Sequence, residues 1–75
     1  MSGKQPRMTA KEIIAVLEKL GFLFSRQSGS HKIYKNSAGK RVTVPFHGDR
    51  ILHPKVLKSI LRDAETDEGK LRELI

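Results

Sequence analysis

Cysteine is absent from the chain, which excludes both a disulfide framework and a thiolate metal site. The missing staple matters in a chain of 75 residues, because a core of that size supplies only about 3–5 kcal/mol by itself. No apolar run approaches the ~20 residues that span a bilayer. The opening "MSGKQPR" lacks the apolar stretch of a signal peptide. These absences lead us to expect a soluble, cytoplasmic protein with no membrane partner. Internal repeats and low-complexity tracts are also missing, and one small domain is expected.

Acid is scarce where base is plentiful. Residues 1–48 carry nine Lys/Arg against only Glu12 and Glu18, whereas residues 49–75 carry six of each sign. The net charge of +7 therefore arises entirely in the first two-thirds of the chain. Between Glu18 and Asp49 there is no carboxylate, yet Lys19, Arg26, Lys32, Lys35, Lys40 and Arg41 lie in that window. A one-sided basic surface attracts polyanions, and nucleic acid is the common intracellular one.

Hydropathy patterning supplies the elements. "MTAKEIIAVLEKLGF" is a helix with both ends written in. Thr9 and Glu12 have capping-box spacing, and Met8 and Ile13 are placed as a hydrophobic staple. Ile13, Val16, Leu17 and Leu20 repeat as one apolar stripe, and Gly21 is suited to a left-handed stop that returns Phe22 to the core. Three extended segments follow: "FLFSRQS", "HKIYK" and "KRVTVPF". Strict alternation in the first would put Phe22, Phe24 and Arg26 on one face. "NSAG" reads as a hairpin loop, and Pro45 places the third strand near its end or at an edge. A second helix begins at Pro54, with Val56, Leu57, Ile60, Leu61 and Ala64 as its apolar face. A short third helix after Asp67, using Leu71, Leu74 and Ile75, competes with a frayed tail because Gly69 weakens it. The economical arrangement is a two-layer α+β fold with the helices on one face of an antiparallel three-stranded sheet.

Metal and triad chemistry find little support in the residue pattern. His31, His47 and His53 show no local ligand spacing, so no metal or cofactor is expected. Ser28 and Ser30 flank His31, but neighbouring strand positions point to opposite faces, and no carboxylate is near to orient the ring. RNA cleavage has smaller requirements, because the substrate carries its own nucleophile in the 2′-hydroxyl. A histidine that accepts its proton and cations that bear the transition-state charge suffice. His31 with Arg26, Lys32, Lys35 and Arg41 supplies them. The same residues equally suit a non-catalytic double-stranded RNA-binding module.

The run "LGFLFSRQSGSHKIYKNSAGKRVTVPFH", followed by "LHPKVLKSILRDA", resembles the HicA family of toxins from HicA–HicB toxin–antitoxin pairs. The resemblance rests on "GF" closing the first helix, "RQSGSH", "VTVPFH" and "LKSIL". It spans Thr9 to Ala64. It implies an α-β-β-β-α fold like a double-stranded RNA-binding domain. We expect one HicA-like domain over residues 9–75, and we read residues 1–8, an extension longer than a minimal member carries, as a flexible basic arm. The resemblance also implies metal-independent cleavage of mRNA, which halts translation and growth. The family's catalytic histidine, the one in Gly-Ser-His, carries over to His31. The implied partner is a HicB antitoxin that covers the active surface, so that DNA is contacted only through the antitoxin complex.

Around His31, we expect Arg26, Lys32, Lys35 and Arg41 to contact phosphate. Gly29 allows a tight backbone path or close phosphate approach, and Ser30 shapes the strand start or touches phosphate. His47 is expected to assist RNA binding or to serve as an acid. His53 inherits no role and simply flanks the second helix. Tyr34 is read as core in preference to a stacking platform.

Overall fold

The computed structural model describes residues 7–75. Six elements follow one another: α1 (Ala10–Lys19), β1 (Leu23–Ser28), β2 (His31–Lys35), β3 (Arg41–Pro45), α2 (Pro54–Asp63) and α3 (Glu68–Leu74). The strands form one antiparallel sheet in the order β1-β2-β3, so the expected α+β architecture is present.

Local chemistry sets the helix ends. The Thr9 hydroxyl accepts from the Glu12 N–H at 3.2 Å, and the Glu12 carboxylate accepts from the Thr9 N–H at 2.8 Å, closing the capping box. At the other end of α1, Gly21 adopts φ 95. Its N–H donates to the Glu18 carbonyl while the Phe22 N–H donates to that of Leu17. This is a Schellman stop, which satisfies two terminal carbonyls and turns Phe22 into the core. Pro54 opens α2, and the Nδ1 of His53 accepts from the Lys55 N–H at 3.0 Å. His53 is thus the N-cap of α2. Asp67 caps α3 by accepting from the Lys70 N–H at 2.9 Å. The short third helix therefore forms, docked through the fully buried Leu71 and a bond from Lys19 Nζ to the Leu74 carbonyl at 2.6 Å. Ile75, expected to join its apolar side, is exposed.

A single core gathers Ile13, Val16 and Leu17 of α1 with Leu57, Ile60 and Leu61 of α2. Tyr34, Val42 and Val44 close it from the sheet. Residues directly opposite across an antiparallel ladder share a face. The pairs Tyr34–Val42 and Lys32–Val44 thus mark the helix-covered side, and His31–Pro45, Ile33–Thr43 and Lys35–Arg41 mark the open side. Ile33, though 8% exposed, stands outside the core cluster, as its place on that other side requires.

Two expectations need correction. The β1–β2 register shifts between Phe24 and Arg26, making Ser25 the extra residue of a β-bulge. Phe24 therefore pairs with Tyr34 and Arg26 with Ile33, which puts Phe24 and Arg26 on opposite faces. Phe24 meets Tyr34 edge-on, with ring centroids 5.7 Å apart. Of the arm expected over residues 1–8, residues 1–6 lie outside the described residues. Met8, however, is 3% exposed, and its carbonyl accepts from the Leu52 N–H at 2.7 Å. Met8 thus belongs to the folded unit, because its side chain completes the core above α1.

Candidate active site

His31 opens β2 directly after a two-residue hairpin. Gly29 takes φ 58 at the first central position, where the primed hairpin turns call for glycine. The Gln27 side-chain amide donates to the Gly29 carbonyl at 2.9 Å. The Ser30 carbonyl accepts from the Phe46 N–H at 2.7 Å. The turn is thus tied to both flanking strands, and the position of the His31 backbone is set by β1 and β3 together. His31 pairs with Ser28 on one side and Pro45 on the other, and it is exposed.

The open face can be read from the ladder. β1 contributes Leu23, Arg26 and Ser28; β2 contributes His31, Ile33 and Lys35; β3 contributes Arg41, Thr43 and Pro45. The bulge at Ser25 is what brings Arg26 onto this face. Arg26, Lys35 and Arg41 are exposed, and among the described residues they form no ion pair with a carboxylate. No acidic side chain belongs to the face. Its cations are therefore free to meet an external anion.

Not every candidate joins this group. Lys32 faces the helix side, with its Nζ 3.9 Å from the centre of the Phe46 ring, a cation–π contact. His47 lies beyond the end of β3, in the loop leading to α2. Gly29 and Ser30 form the turn itself. Tyr34 is buried in the core, and burial, then the negative charge of Glu18, pushes its phenol above the ordinary value. Among the described residues, no three His, Asp or Glu side chains converge so as to hold a metal ion.

Two features escaped the sequence reading. Arg50, which carried no motif, lies beside His47 and His53 around a concavity between β3 and α2. Ser28 is the cross-strand partner of His31; the two-residue spacing across Gly29-Ser30 was the signal for it.

The fold and site together define a small α+β domain that covers one sheet face with helices and offers a histidine among unpaired cations on the other. Residues 10–66 match a family model described as the HicA toxin of bacterial toxin–antitoxin systems, and the chain belongs to that family. The match runs from α1 to just past α2 and leaves α3 outside. A search of curated proteins finds no match. Membership makes the chain a toxin-type domain whose partner, in general terms, is an antitoxin. Among the described residues no helix is long and apolar enough to cross a membrane.

Proposed function

We propose that this toxin domain is a metal-independent endoribonuclease that cleaves mRNA in the cytoplasm, with His31 as the general base. One observation carries the reading: His31 shares the open sheet face with Arg26, Lys35 and Arg41 and with no acidic residue. The imidazole takes the proton of the RNA 2′-hydroxyl, and the freed oxygen attacks the adjacent phosphorus. The bond to the 5′-oxygen breaks, leaving a 2′,3′-cyclic phosphate and a 5′-hydroxyl end once that oxygen is protonated. Arg26, two ladder positions from His31, bears the charge that builds on the phosphoryl oxygens, and Lys35 and Arg41, paired at the far end of the face, hold neighbouring phosphates of the strand. Gly29 and Ser30 hold the backbone turn that sets His31, and His47, beyond the end of β3, contacts RNA where the strand leaves the open face. A HicB antitoxin neutralises the domain by covering the open face, and DNA is reached only through that complex.

The test is expression of His31→Ala without antitoxin, alongside cleavage of RNA by the purified variant. Growth arrest and cleavage should both vanish while thermal unfolding stays unchanged, and chelator should leave wild-type cleavage intact. Full toxicity of His31→Ala removes His31 from the mechanism. Duplex RNA bound tightly by the wild-type protein but never cut would replace the ribonuclease with a binding module.

A further inference from the structure

The loop between β3 and α2 builds a feature that the chemistry at His31 leaves unused. A concavity of about 270 Å³ opens there, with Ile51, Leu52 and Val56 as its apolar lining. Its polar lining is His47, Arg50 and His53. The loop is held in place by backbone pairing. Gly48 takes φ 64, the Arg50 N–H donates to the His47 carbonyl at 3.4 Å, and Ile51 bridges to Thr9. His53 accepts the Lys55 N–H on Nδ1, so its neutral ring carries the proton on Nε2. The three polar side chains thus present N–H donors, and no carboxylate lines the concavity; Asp49, in the same turn, is not among the lining residues.

Pro45 joins this concavity to the catalytic face, because it both lines it and stands opposite His31 in the ladder. A chain leaving His31 past Pro45 meets the concavity next. An apolar floor with a few convergent donors suits a base and its phosphate. We propose that the concavity is a nucleotide subsite for single-stranded RNA, taking the nucleotide one step beyond the pair that flanks the scissile phosphate. Its base lies against Ile51, Leu52 and Val56, and its phosphate is held by Arg50 with His47 and His53. That place along the strand rests on the ribonuclease reading of His31.

Uncleavable 2′-O-methyl oligonucleotides separate this proposal from that reading. Binding of a dinucleotide and of a tetranucleotide is measured by fluorescence anisotropy at one salt concentration. Arg50→Ala should weaken the tetranucleotide about tenfold, the effect of one charge-assisted bond, and leave the dinucleotide unchanged. His53→Asn keeps an N-cap acceptor while removing the ring, so unfolding should be unaltered as tetranucleotide affinity falls. The ring protons of His47 and His53 should shift in NMR spectra only with the longer ligand. The subsite is overturned if both variants bind the tetranucleotide as wild type does, or if Arg50→Ala weakens both lengths equally. It is also overturned if Arg50→Ala weakens only antitoxin binding. A protein that binds in this length-dependent way yet never cuts RNA sinks the ribonuclease reading and supports the subsite.

Discussion

His31 and Pro45 form a non-hydrogen-bonded pair across β2 and β3. The register places them opposite each other, and the bond from the Phe46 N–H to the Ser30 carbonyl shows that the hydrogen-bonded pair lies one step further along. Such pairs alternate, and the non-hydrogen-bonded ones bring side chains closest. Proline is therefore tolerated at this point, since the N–H it lacks would have pointed away from β2 to the outer edge of the sheet. The imidazole consequently stands beside a rigid ring on one side and the small Ser28 on the other.

Cations on the two faces of the sheet should behave differently. Lys35→Ala removes an open-face charge, so RNA affinity should fall and the log–log salt slope should shrink by roughly 0.7, the value for one single-strand phosphate contact. Lys32→Met removes a cation that sits over Phe46 instead. Its expected signature is a loss of about 0.5–1 kcal/mol in stability and a smaller change in slope. Salt titrations of both variants check the contrast.

The turn before His31 makes a stereochemical prediction. A methyl at Gly29 would meet nothing within 4 Å, so Gly29→Ala should act through its φ of 58 alone, at about 1–2 kcal/mol. A chain synthesised with D-alanine at position 29 favours positive φ and should regain that stability. Denaturant midpoints of the three proteins decide it; equal loss with both alanines would show that the backbone angle is not the cause.

Leu71 predicts a structural role for the segment beyond the family match. It is fully buried although it belongs to α3, and Leu71→Ala should destabilise by about 2–5 kcal/mol. Urea unfolding measures this. A change within a few tenths of a kcal/mol would mean that α3 contributes little to the fold.

Alkaline pH gives a spectroscopic check on the core. Tyr34 is the only tyrosine and there is no tryptophan, so phenolate absorbance reports one residue. Its inflection should lie above 10.0, because burial and then Glu18 raise it. The unfolded chain ionises its tyrosine first, so the stability this group contributes is complete below pH 10.0 and is lost as pH rises through the folded value. Tyr34→Phe should lose less stability over that alkaline range than wild type does.

What was legible in the sequence was chiefly what is decided within a few residues. Thr9 with Glu12, Gly21 with Phe22, and Pro54 each carry their own local geometry, and all three ends stand where the residues placed them. The third helix was ambiguous because Gly69 opposed it locally, and the burial of Leu71, a tertiary effect, decided in its favour. The candidate site was legible as a composition, an acid-free basic stretch around His31, but not as a surface. Strand alternation separates Lys32 from His31, and only the ladder reveals that Arg26 returns to the histidine's side. Arg50 was invisible because its place depends on pairings of Ile51 and Leu52 with Thr9 and Met8, some forty residues earlier.

The extra residue at Ser25 changes the parity of β1 partway along. Before it, Phe24 looks inward, toward Tyr34; after it, Arg26 and Ser28 look outward, beside the histidine. One short ribbon thus divides its side chains between two surfaces: Phe24, itself half exposed, lies edge-on to Tyr34, and Arg26 and Ser28 meet whatever anion arrives from solution. Deleting that one serine would keep every other side chain and still turn the ribbon over on one side of the cut, so that either Phe24 would lose its ring contact with Tyr34 or Arg26 would leave the histidine's face.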